Sequence, residues 1–106
     1  NRLRASIVAG SANNVLASEL HGHALLRRGI AYAPDVLITS GAVIQGARYH
    51  LHASIDNESY IARIAQETRW VLEESRRRSL PTNVLAEQEA RRRVEESRAA
   101  SGPYVP

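Results

Sequence analysis

Cysteine, methionine, phenylalanine and lysine are all absent from this chain of 106 residues, and tryptophan occurs once. Without cysteine there is no disulfide framework and no thiolate ligand, which makes the cytoplasm the expected location. Without phenylalanine or methionine, a domain of this size has one core, thinly stocked with large side chains. Its fourteen basic residues are all arginine. Chemistry that needs a lysine amine as base or Schiff-base former must therefore come from another chain or another segment. No apolar run approaches the roughly 18 residues that span a bilayer, and no charged-then-apolar leader resembles a signal peptide. The absent methionine and the first residue, Asn1, read as a fragment, a processed product or a trimmed piece, with part of its site elsewhere.

Apolar residues make up 43% and charged residues 24%, the balance of a soluble globular protein. The net charge of +3 raises the question of a nucleic-acid partner. The arginines answer it. Arg76-Arg77-Arg78 follow Glu73-Glu74, and Arg91-Arg92-Arg93 sit between Glu87, Glu89 and Glu95-Glu96. On a helix this gives acid-to-Arg pairs four apart: Glu73 with Arg77, Glu74 with Arg78, Glu87 with Arg91, Glu89 with Arg93. A face threaded with carboxylates repels phosphate, so neither nucleic acid nor membrane is expected as a partner.

Ser6-Ile7-Val8-Ala9 is short, β-branched and apolar, as a buried parallel strand should be. Between Val15 and Arg28, Val15, Leu16, Leu20, Ala24 and Leu25 recur at helical spacing, and Arg27-Arg28-Gly29 supplies a basic last turn with a glycine beyond it. Strand character returns at Ile30-Ala31-Tyr32-Ala33 and, after Pro34-Asp35, at Val36-Leu37-Ile38-Thr39. The order is that of a βαβ unit. A helix is expected over Ala42 to Ala53, then a longer one capped by Asp56 or Asn57, with Ile61, Ile64, Ala65, Thr68, Val71 and Leu72 as its apolar stripe. Leu80-Pro81-Thr82 ends that helix and caps a last one over Asn83 to Ala99, whose stripe is Leu85, Ala86, Ala90 and Val94. The fold class is α/β: the trailing half of a doubly wound, Rossmann-like parallel sheet over 1–56, a C-terminal helical pair over 57–100 and a loose tail over 101–106. Two strands do not make a self-sufficient sheet, so further strands are expected alongside.

Ligands of open α/β sheets bind beyond the carboxyl ends of the strands. Gly10 to Asn14 and Thr39 to Gly46 must share that edge, and their small residues let the backbone approach a ligand closely. Either of Asn13 and Asn14 suits the cap of the following helix, but one cap does not explain two asparagines. His21-Gly22-His23 and His50-Leu51-His52 invite a metal. Histidines two apart on a helix point about 200° from each other, however, so no metal site is expected. Ser11, His21 and Asp35 could be drawn as a hydrolase triad, but no Gly-x-Ser-x-Gly elbow surrounds the serine. Tyr60 and Trp70 read as packing residues of the long helix.

Ile7-Val8-Ala9-Gly10-Ser11-Ala12-Asn13-Asn14, then His21-Gly22, Arg28-Gly29-Ile30, Tyr32-Ala33-Pro34-Asp35, Gly41 and Val43 carry a resemblance. This series resembles the later part of the nucleotide-binding domain of the glutamate/leucine/phenylalanine/valine dehydrogenases, most closely the leucine and phenylalanine branch. Members oxidatively deaminate an amino acid to a 2-oxo acid, with hydride transfer to NAD or NADP. The resemblance implies that Asn13 and Asn14 lie by the nicotinamide ribose and the substrate, where a neutral amide bonds without adding charge. It makes Ala9 and Gly10 backbone wall near the nicotinamide. Asn14, Val43 and Gly46 would line the substrate pocket, Gly46 making room for a larger side chain. Thr39 stands where the family has an asparagine that reaches the nicotinamide carboxamide.

The glycine fingerprint for the pyrophosphate and the domain carrying the catalytic lysines and aspartate have no counterpart here, so no catalytic residue is expected in this chain. The expected partners are the amino-acid or 2-oxo acid substrate, a missing N-terminal part or partner chain that completes the site, and further copies in a homo-oligomer. The rival reading is a dehydrogenase-like protein that has lost catalysis and serves in binding or assembly, for which Thr39 is the main support.

Overall fold

The computed structural model describes residues 2–40 and 57–102. Strand β1 (Ile7–Val8) is followed by helix α1 (Glu19–Arg27), strand β2 (Ala31–Tyr32), a single turn of helix α2 (Asp35–Ile38), and the long helices α3 (Asn57–Arg78) and α4 (Thr82–Ser101). The strands pair in parallel, Ile7 opposite Ala31 and Val8 opposite Tyr32, with α1 as the crossover. The βαβ unit expected from the sequence is present. A small parallel sheet with helices is compatible with part of a Rossmann-like domain. No described helix is long and apolar enough to cross a membrane.

Three expectations are corrected. Val36 to Ile38 is helix, not strand, because Pro34 turns the chain out of β2 and the amides of Leu37 and Ile38 both bond back to its carbonyl. Helix α1 starts at Glu19 rather than near Val15, since Asn14 takes a left-handed φ of +53° that no helix can continue. Ser18 caps it, and the His21 side chain reaches back, its Nδ1 accepting the Ser18 amide at 3.1 Å. The asparagines are thus not caps. Nor is β1 a buried strand: Ile7 is 68% exposed, with nothing described covering it.

Ile30, Tyr32 and Ala33 from the second strand region meet Val71 of α3 and Leu85 and Ala86 of α4 in the core. Pro34 and Pro81 are fully buried beside them. Along α3 the expected stripe holds through Ile64, Thr68, Val71 and Leu72, while Ile61 and Ala65 are exposed and Ser75 is buried instead. Ser75 is tolerated there because its hydroxyl donates to the Leu80 carbonyl at 2.6 Å. Thr82 does not cap α4 as expected. Its hydroxyl donates instead to the Tyr32 carbonyl, 2.6 Å away across 50 residues, and Pro81 occupies the cap position. The stripe of α4 stops at Ala86: Ala90 and Val94 are exposed because the helix runs past the end of the core.

Beyond that point α4 is held by charge. Glu87 pairs with Arg91 and Glu89 with Arg93, as the spacing foretold, and Glu89 also takes Arg92 at 2.6 Å. Arg93 reaches across to Glu67 of α3 at 2.9 Å. Arg77 pairs with Glu74 three residues back rather than with Glu73, and Arg78 makes no ion pair with Glu74. Hydrogen bonds from Arg92, and then Arg93, hold the Glu89 carboxyl down at about 2 from its ordinary 4.5.

The turns out of α1 and α3 use left-handed residues. Gly29 (φ +66°) closes α1 with Ile30 N–H bonded to Leu25 O and Gly29 N–H to Leu26 O, the double bond pattern that satisfies the last carbonyls. Ser79 (φ +53°) does the same for α3, with Leu80 N–H on Ser75 O, but as an L-residue it is strained there. Ser79→Gly is expected to raise stability by about 1 kcal/mol, read as a higher urea midpoint at unchanged slope. Because the Glu89 carboxyl is depressed in the fold, its contribution is complete above about pH 5 and fades as pH falls toward about 2. Unfolding midpoints measured across that window should fall less in Glu89→Gln than in the parent, and added salt should shrink the difference.

Candidate functional site

Beyond the carboxyl ends of β1 and β2, two loops are tied at one carboxylate. The backbone N–H of Asn14 donates to Asp35 Oδ2 at 2.6 Å, and the Tyr32 hydroxyl donates to Asp35 Oδ1 at 3.1 Å. Asparagine tolerates the left-handed conformation of residue 14 better than most residues, which explains the residue type locally. Burial pushes the pKa of the Tyr32 hydroxyl above its usual value, and its side-chain hydrogen bond to Asp35 and the carboxylate charge act in the same direction. The phenol therefore stays protonated and remains a donor at neutral pH.

The other site residues fall around this tie. Ala9, Gly10, Asn13 and Asn14 are all exposed. A Cβ built on Gly10 would meet nothing within 4 Å, so packing does not require glycine there and the backbone is open to a ligand. Thr39 ends α2, its hydroxyl donating to the Asp35 carbonyl at 2.7 Å, so what it can still offer a ligand is an acceptor. Asn14 and Thr39 thus meet the two ends of one residue, Asp35. Val43 and Gly46 lie outside the described residues, as do His50 and His52. His21 and Asp35 have separate partners, and no triad forms with Ser11. Among the described residues no group of three His, Cys, Asp or Glu side chains is placed to hold a metal.

A cleft of about 600 Å³ runs from this corner to α4, lined by Asn14, Leu16, Asp35, Val36, Asn83 and Ala86 among others. Sequence reasoning assigned no functional role to Asn83, whose Oδ1 is buried without a hydrogen-bond partner among the described residues. It rests against Gly22 of α1, where an added Cβ would overlap Oδ1 and sit 2.8 Å from Cγ. Gly22 therefore marks the close approach of α1 to the start of α4. The role of Asp35 was also missed, although Pro-Asp directly after a strand is a signal for a turn whose acid can accept backbone amides.

Two-strand topology and an asparagine corner at the strand ends are shared by many α/β proteins; sequence similarity decides among them. Leucine dehydrogenase from Thermoactinomyces intermedius is 34% identical over 105 residues, covering 98% of this chain and 29% of that protein. The chain matches the amino-acid dehydrogenase family. It corresponds to a C-terminal segment of these dehydrogenases and spans less than a third of the length of the leucine dehydrogenases it matches. Phenylalanine dehydrogenase from Bacillus thermotolerans is 50% identical over 46 residues, 43% of this chain and 12% of that protein. L-tryptophan dehydrogenase from Nostoc punctiforme is 51% identical over 43 residues, 40% of this chain and 12% of that protein. No family model matches the chain.

The contact between Gly22 and Asn83 can be tested by substitution. Gly22→Ala gains about 1 kcal/mol of helix propensity yet should destabilise by about 1 to 3 kcal/mol net of it, since the Asn83 amide must move. Combined with Asn83→Ala, most of that loss should vanish in a double-mutant cycle followed by denaturant unfolding.

Proposed function

We propose that this chain is the nicotinamide-side and substrate-pocket segment of an NAD(P)-dependent amino-acid dehydrogenase, working with a segment or partner chain that supplies the dinucleotide fingerprint and the catalytic lysines. The observation that carries this reading is the Asn14 to Asp35 tie. It joins the two sequence motifs of the resemblance, Ala-Gly-Ser-Ala-Asn-Asn and Tyr-Ala-Pro-Asp, at the strand ends where α/β folds take their ligands. The relatives, all dehydrogenases of amino acids by name, support the same class.

The residues present fit a nicotinamide nucleotide. Gly10 leaves open space beside the backbone, and Asn13 and Asn14 offer exposed amides that donate to and accept from sugar hydroxyls and a carboxylate without bringing charge. Ala9 and Gly10 would form the wall beside the ring, Thr39 would offer its hydroxyl oxygen as acceptor, and Asn14 with Val43 and Gly46 would face the substrate. When bound, the dinucleotide accepts a hydride from the substrate α-carbon. The work of this chain would be binding and orientation, and the resemblance implies that a glycine at 46 would leave room for a larger apolar side chain, in keeping with the phenylalanine and tryptophan names among the relatives.

The test uses the full-length protein with NAD and NADP and a panel of L-amino acids, following the reduced dinucleotide. Reduction with large apolar amino acids is expected; no reduction with any of them overturns the reading in favour of a binding or assembly role. Asn14→Gly keeps the left-handed backbone and removes the amide, and is expected to lower kcat/KM by about 10- to 100-fold.

A further inference from the structure

Asn14 is exposed and its left-handed backbone is unusual, so something must hold the turn in one direction. The described structure provides one partner for its amide: the Asp35 carboxylate at 2.6 Å, a charge-assisted bond of the stronger kind. That carboxylate does not stand alone. Its other oxygen accepts the Tyr32 hydroxyl at 3.1 Å, Tyr32 is 4% exposed, and the Tyr32 carbonyl in turn accepts from Thr82 of α4 at 2.6 Å. The chain of bonds runs Thr82, Tyr32, Asp35, Asn14, from the rigid core to the loop. Helix α2, with four residues, is too short for an N-terminal charge effect to be the reason for an acid at this place.

We infer that Asp35 is a positioning residue, whose carboxylate, braced by the buried Tyr32 hydroxyl, fixes the direction in which the Asn13-Asn14 turn presents its amides to the ligand. The inference rests on the proposed function for what the ligand is, and on geometry alone for the tie. Asp35 does not touch the reacting atoms; it acts through Asn14. Asparagine at 35 can still accept from the Asn14 amide if its NH₂ turns to the Tyr32 oxygen, which then accepts instead of donating. Alanine offers no acceptor at all.

Two readouts on the full-length protein separate the steps. Hydrogen exchange of the peptide spanning residues 10–17, followed by mass spectrometry, should show one amide losing protection in Asp35→Ala and keeping most of it in Asp35→Asn. Steady-state kinetics should show kcat falling about 10- to 100-fold in Asp35→Ala, with a smaller change in dinucleotide KM and an intermediate value for Asp35→Asn. Tyr32→Phe combined with Asp35→Asn should fall to the level of Asp35→Ala, because the amide is then free to turn. Unchanged exchange in Asp35→Ala overturns the tie. Lost protection with parental kcat overturns the positioning role and leaves the dehydrogenase reading standing. A parent that reduces no dinucleotide with any amino acid overturns the dehydrogenase reading, and the positioning role with it, even where exchange upholds the tie.

Discussion

Asp35 accepts one hydrogen bond from the loop after the first strand and one from the last residue of the second, and the site end of the molecule is organised around that pair of bonds. A carboxylate can serve two donors at once because each oxygen carries its own acceptor sites. Its placement follows from Pro34, which fixes the chain's exit from β2 and starts a helical turn that aims the acid back at Asn14. Tyr32 makes the arrangement rigid: buried against α3 and α4, it fixes one side of the carboxylate while the loop is held on the other. An exposed loop is thereby tied to the core.

Away from the site, two kinds of attachment divide the labour. Near α1 and β2, α4 is held by burial of Leu85 and Ala86 and by the Thr82 hydroxyl. From Glu87 onward it is exposed and held by ion pairs, of which the link from Arg93 to Glu67 joins it to α3. Exposed pairs of this kind contribute little singly, and their value lies in sharing: Glu89 serves two arginines, and Arg93 serves two glutamates.

The sequence carried the βαβ order, the glycine turn after α1, the two long helices and the pairs Glu87–Arg91 and Glu89–Arg93, because periodicity, glycine and charge spacing are local signals. It misled where a single turn or cap residue outweighs the composition of the residues after it. Val36-Leu37-Ile38 has strand composition, but Pro34 and the carbonyl it presents start a helical turn. Val15 and Leu16 have helical spacing, but the left-handed Asn14 and the Ser18 cap delay the helix. At the candidate site, the position of the two asparagines beyond the end of β1 was legible. The partnership of Asn14 with Asp35 was not, because a bond across 21 residues leaves no mark in either neighbourhood. Ser79 in a left-handed turn was equally hidden, since serine there carries none of the signal that glycine carries at 29.

The Thr82 hydroxyl on the Tyr32 carbonyl also sets a direction of growth. Ala31 and Ala33 turn their amides toward β1, so the carbonyl of Tyr32 between them faces the opposite edge of the sheet, and Thr82 has already taken it. A strand arriving on that flank finds its first acceptor occupied and the start of α4 in its path. Among the described residues the flank beside β1, with Ile7 uncovered, has no such stopper. Among the described residues, then, the sheet is closed by its own last helix on one side and open to a further strand on the side of its first.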